Sequence, residues 1–230
     1  AVWALPALVA LVLWVPQLRL PGGPVRGVAV RRGDARAIWR QPLAWLVMLF
    51  MGLQSVSFYG PLSWLPAILR DSSIDAAKAG ALLGVMLIVS MVGSTISPVV
   101  AARRADQRAV MAVSVGSLTI GVTGLLLAPG AALLWTVLMG LGQGACFGLA
   151  LLLMNLRAAD GEAAAQLSSM AQAGGYAIAA AGPLIMGVLH GASGGWTLPL
   201  LFLLLVAAVE LLVGLGASRD RLVHREHAMS

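Results

Sequence analysis

The chain has 230 residues, of which 60% are hydrophobic and 10% charged, with a formal net charge of +6. Its mean hydropathy of +0.92 excludes a water-soluble domain, because so few charges cannot cover a core of this size. The basic balance does not point to nucleic acid either: the arginines stand in short clusters between long uncharged runs, with no aromatic stacking platform among them.

A bilayer core about 30 Å thick takes about 20 apolar residues as a helix, and seven such runs follow one another. The first covers residues 1–15 and is closed by Pro16 and Arg19. It starts at Ala1 with no basic segment ahead, so a signal peptide is not expected and the run, with residues 1–17, reads as the end of a preceding bundle. Residues 18–42 form a linker with Pro21, Gly22, Gly23, Pro24 and six arginines, a composition that suits a flexible boundary touching anionic lipid headgroups.

The second run, residues 43–69, lies between Arg40 and Arg70, and the third, residues 80–102, between Lys78 and Arg103. Residues 109–156 carry no charge over about twice the length of one crossing, and Pro129 with Gly130 splits them into a fourth and a fifth span. The sixth covers residues 163–189 and is closed by a glycine-rich turn at residues 190–195. The seventh, residues 196–217, holds Glu210, and residues 218–230 form a tail.

Backbone groups in lipid must pair internally, and runs this long without alternation exclude barrel strands, so the expected fold is all-α and polytopic. Thirteen of the fifteen basic residues fall in alternate connections and the tail, against Arg70 and Lys78 on the other side. That asymmetry places the linker and the tail on the cytoplasmic side of the cell membrane. An echo supports the boundary after the first span: Trp3, Leu5, Pro6 and Leu8 repeat as Trp196, Leu198, Pro199 and Leu201 at the outer end of the last one, as two parallel six-helix halves would arrange it. Residues 43–217 then form a complete six-helix bundle.

Cys146 is the single cysteine, set in an apolar run, which suits a small buried hydrophobe and excludes a disulfide framework. With histidines only at 190, 224 and 227, no metal site, cofactor site or nucleophile–base pair is expected, and hence no enzyme. His190 reads as an interfacial residue ending the sixth span.

Polar side chains inside a span cost energy unless they pair or line a cavity. Gln54, Gln143 and Gln172 each stand near the middle of a span. The spacing of Gln54, Ser57, Phe58, Pro61 and Trp64 predicts one face of the second span, that of Ser169, Gln172 and Tyr176 one face of the sixth, and Gln143 precedes Phe147 by one turn on the fifth. These residues suggest a cavity with amide donors and acceptors and with walls from Phe58, Trp64, Phe147 and Tyr176, suited to a small polar or weakly anionic solute; hydrogen bonding between neighbouring helices is the competing explanation. Gly140, Gly144 and Gly148 read first as helix-packing steps, as do Gly175, Ala179 and Pro183. Glu210, the one carboxylate within a span, lies within two turns of the inner end, where it reaches the interface; a structural role is favoured over proton coupling.

The segments GLQSVSFYGPLSWLPAIL, GLGQGACFGLAL and SSMAQAGGYAIAAAGPLIMGVLHGASGGW, with the loop ARRADQR, resemble the cyanate and nitroimidazole transporter branch of the major facilitator superfamily over essentially the whole chain. The resemblance implies two six-helix bundles that rock in alternating access, with the first half of the protein as partner of this chain. It also makes Arg104, Asp106 and Arg108 a degenerate copy of the superfamily's inter-helix gating motif, without its glycine. The alternative from another class is a seven-helix receptor or photoprotein. A retinal pigment needs a lysine in its last helix, whereas the only lysine, Lys78, stands at a loop.

Overall fold

The computed structural model describes residues 38–219 and 222–223. The expected first span, most of the linker, the first copy of the echo and most of the tail lie outside them. The described residues form six long helices: α1 (Pro42–Asp71), α2 (Ala76–Ala102), α3 (Arg108–Leu127), α4 (Ala132–Leu156), α5 (Gly161–Ser193) and α6 (Thr197–Ala217). All six are long and apolar enough to cross a membrane, and the fold is all-α, as the hydropathy pattern predicts.

Local chemistry sets the boundaries. Pro42 opens α1, where a missing N–H costs nothing. Asp75 caps α2, its Oδ2 accepting the N–H groups of Ala77 at 2.9 Å and Lys78 at 3.2 Å. Asp75→Ala is expected to lower stability by about 1 kcal/mol, read as a small drop in melting temperature in detergent. Asp160 caps α5 through the Ala163 N–H at 2.8 Å. The split at Pro129 is a single 3-10 turn, Pro129–Ala131. The sixth span differs from expectation at its end: α5 runs past His190 to Ser193 and stops where Gly194 adopts φ +68, a left-handed conformation that glycine enters without Cβ strain.

Helix α4 packs mainly on α2 and α3, and α1 on α5 and α6. Small residues make the first contact possible. A Cβ on Gly140 would stand 2.6 Å from the Met86 carbonyl oxygen, one on Gly148 2.5 Å from that of Ser94, and one on Gly144 would overlap the Ser90 carbonyl oxygen. The glycine ladder of α4 is thus a backbone-to-backbone seam with α2, as the packing reading expects. Ser97 ties the same helices by donating to the Ala145 carbonyl at 2.8 Å. The α3–α4 hairpin is held by Ser117 donating to the Leu138 carbonyl at 2.8 Å and by the Trp135 indole donating to the Ala128 carbonyl at 2.7 Å.

Candidate functional site

At mid-span, α1, α2, α4 and α5 enclose a half-open cavity of about 260 Å³. Five of the eight residues expected to line it do so: Gln54 and Phe58 from α1, Gln143 and Phe147 from α4, and Tyr176 from α5. Phe147 and Tyr176 stand at its open side, 38% and 43% exposed. No helical period in α2 marked Ser90, Met91 and Ser94, which complete the wall with Ser55 and Tyr59. Ser90 and Ser94 look like ordinary span serines in sequence, because their hydroxyls donate back to the Leu87 and Met91 carbonyls at 2.7 and 2.9 Å and are satisfied locally.

The expected face of α1 divides in two. Gln54 and Phe58, one turn apart, face the cavity, whereas Ser57 and Trp64 point to other helices. The Trp64 indole donates to the Pro183 carbonyl on α5 at 2.9 Å and lies 5.5 Å from Trp196. Ser57 donates to Glu210 Oε2 across the α1–α6 contact at 2.8 Å. Gln172 is not on the cavity wall either; its Nε2 donates to Ser168 Oγ one turn earlier on α5, at 2.8 Å.

Glu210 corrects the sequence reading most clearly. It stands seven residues before Ala217, about 10 Å at 1.5 Å per residue, and its exposure is 0%. It therefore does not reach the interface: α1 covers it, Ser57 holds one oxygen, and the Cys146 thiol of α4 adjoins it. Oε1 accepts no N–H or O–H among the described residues. Cys146 is wholly buried, in keeping with its packing role.

The glutamine amides have fixed orientations, since only an NH2 group can face a carbonyl oxygen. Gln54 Nε2 donates to the Met51 carbonyl at 3.1 Å and to Ser55 Oγ at 2.7 Å. Gln143 Nε2 donates to the Ser57 carbonyl, so that cavity wall, Ser57 and Glu210 form one polar chain from α4 through α1 to α6.

At the basic end the gating-motif residues do not act as one cluster. Arg108 pairs with Asp106 at 3.7 Å, and Asp106 Oδ1 accepts the Arg108 N–H at 2.9 Å. Both side chains are half exposed, and such pairs contribute little. Arg104 lines a separate apolar groove between α2, α3 and α4. The buried member of the loop is Gln107, whose Nε2 donates to the Arg104 carbonyl at 2.7 Å and whose Oε1 accepts from Arg157. Arg157, 2% exposed, also donates to the carbonyls of Ala217 and Ser218, each at 3.0 Å. Sequence reading counted it only as a topological charge; its place directly after a charge-free span of 48 residues, 109–156, was the one available signal. At the other end, Trp196 donates to Asp71 Oδ2 at 2.6 Å and stacks on His190 at 3.9 Å.

Comparison with known proteins agrees with this architecture. The family model of the Major Facilitator Superfamily matches residues 1–170. The uncharacterized transporter YycB of Bacillus subtilis (strain 168) is 38% identical over 223 residues, 96% of this chain and 55% of the relative. The 2-nitroimidazole transporter of Escherichia coli (strain K12) is 38% identical over 214 residues, 93% of this chain and 54% of the relative. The cyanate transport protein CynX of the same organism is 30% identical over 198 residues, 84% of this chain and 50% of the relative. The chain spans about half the length of these curated relatives. Six apolar helices, the family match and these relatives together make the chain a multi-pass membrane protein that belongs to the major facilitator superfamily.

Proposed function

We propose that this chain is the C-terminal six-helix half, preceded by the last helix of the N-terminal half and a cytoplasmic linker, of a secondary transporter. It carries a small polar solute, of the nitroimidazole or cyanate kind, across the cytoplasmic membrane by alternating access. The observation that carries the reading is the mid-span cavity, where amides of α1 and α4 and hydroxyls of α2 meet between aromatic rings. Uncharged groups of this sort bind a small solute and let it go again. The N-terminal half closes over the face of α5 bearing Ser169, Gln172 and Tyr176, which the described residues leave partly or wholly exposed. In this arrangement Arg104, Asp106 and Arg108 sit at the cytoplasmic gate, and Glu210 is the site of a coupled proton, with Cys146 of α4 and Ser57 of α1 as its neighbours.

Reconstitution of the complete gene product in liposomes tests this. Flux of 2-nitroimidazole or cyanate is expected, and Gln54→Ala or Gln143→Ala should lower it about tenfold, the worth of one hydrogen bond, at unchanged abundance. Glu210→Gln should keep downhill exchange and lose accumulation driven by an imposed pH gradient. A folded protein with no flux across a panel of small solutes refutes the transport reading; gradient-driven accumulation by Glu210→Gln refutes the proton role alone.

A further inference from the structure

Helices α2 and α3 both pack on α4 and hardly touch each other. Between them lies a groove of about 350 Å³ that shares no lining residue with the mid-span cavity. Its walls are Ile96 and Val100 of α2 with Val110 and Val113 of α3, and Gly142 and Ala145 of α4 keep its floor low. Ile96 and Val113 are more than half exposed. The three serines on the wall turn their protons into the bundle: Ser97, Ser114 and Ser117 donate to the carbonyls of Ala145, Val110 and Leu138, each at 2.8 Å. Along its length the groove therefore offers an apolar surface.

Its depth and its end are informative. Helix α2 runs nine residues from Gly93 to its last residue, Ala102, and α3 nine from its first residue, Arg108, to Ser117. At 1.5 Å per residue each stretch is about 14 Å long, close to half of a hydrocarbon core about 30 Å thick. The groove thus covers one leaflet and stops near the midplane. Arg104 lines it at the basic end. Neither Arg104 nor Arg103 beside it forms an ion pair among the described residues, and the Asp106 carboxylate is already held by Arg108.

We propose that this groove holds an anionic phospholipid of the leaflet at the basic end, one acyl chain lying along Ile96, Val100 and Val113 and the phosphate meeting Arg104. An acyl chain asks for no hydrogen bond, and its length within one leaflet is that of the groove. A guanidinium directly beyond an apolar slot complements a negative headgroup in the way that basic residues at a membrane surface attract anionic lipid. A transmembrane helix is the poorer fit, because it would run the full depth of the membrane. The site is independent of the solute carried.

Photo-crosslinking of the complete gene product tests this. A benzophenone amino acid replaces Val113, and the protein is placed in vesicles of equal phosphatidylglycerol and phosphatidylcholine. Mass spectrometry after irradiation is expected to show a phospholipid adduct in which phosphatidylglycerol exceeds phosphatidylcholine about fivefold, the worth of one basic residue near the surface. Arg104→Gln should bring the two lipids close to parity. The same group at Ile120, exposed on α3 outside the groove, should capture both lipids equally. Should the Val113 variant fail to fold, Ile96 on the opposite wall takes its place. If neither folds, melting of the wild type in detergent decides, with phosphatidylglycerol expected to raise the melting temperature more than phosphatidylcholine and equal shifts counting against the site. An adduct with the first half of the protein in place of lipid, no lipid adduct, equal capture of the two lipids, or a preference that survives Arg104→Gln overturns the inference; the transport reading stands or falls separately, by flux.

Discussion

Arg157→Ala should be among the most destabilising single substitutions in this bundle, lowering stability by about 3 kcal/mol or more. The guanidinium ends α4 and donates to Gln107 Oε1 in the α2–α3 loop and to the carbonyls of Ala217 and Ser218 at the end of α6. Each acceptor left buried without a donor costs about 1–3 kcal/mol, and removal of a buried charged donor is felt by all its partners at once. Arg157→Lys should recover only part of the loss, because a single ammonium cannot reproduce a planar fork directed at several oxygens. Thermal melting of the purified protein in detergent measures the size, with Arg103→Ala, at an exposed position just after α2, as the control that stays near wild type. Faster labelling of a cysteine placed at Ser218 would show that the end of α6 has come loose.

The second large effect is at Gly144. An added Cβ there overlaps the carbonyl group of Ser90, and a carbonyl oxygen in a helix cannot rotate away as a flexible side chain would. Gly144→Ala is expected to force α2 and α4 apart at a loss of about 3 kcal/mol, and Gly144→Val should prevent recovery of folded protein. Gly84→Ala in α2 and Gly116→Ala in α3, where a Cβ meets nothing within 4 Å, provide the contrast. Both should be neutral or stabilise by up to about 1 kcal/mol through the helix propensity of alanine. If Gly144→Ala melts with these two, the close seam between α2 and α4 is not what holds the pair together.

The six described helices, the break at Pro129 and the α4 glycine seam were legible in the amino-acid order, because hydropathy and small-residue spacing act within one helix. The cavity was legible in part. Gln54, Phe58, Gln143, Phe147 and Tyr176 are conspicuous as polar or aromatic groups at mid-span, but which side of a helix turns inward depends on its neighbours. In a membrane that choice is not set by polarity alone, so Ser57, one residue from Phe58, could be assigned to the wrong partner. Gln172 stands off this cavity for a similar reason, its Nε2 turned to Ser168 one turn away. The partners of Arg157 and Glu210 lay beyond sequence reading. The partners of Arg157 are about 50 and 60 residues distant and that of Glu210 153 residues distant, and nothing in the local pattern of either residue anticipates such contacts.

The α3–α4 hairpin has a consequence for how this protein enters its membrane. Two greasy rods joined by a single tight 3-10 corner leave the ribosome with no charged stretch between them to be pulled across on its own. A tryptophan link at that corner and a serine link further along the pair let the rods pair before either is exposed to lipid on all sides. They are therefore expected to leave the insertion channel as a joined pair, and a polar insert at Gly130 would delay the whole bundle behind them.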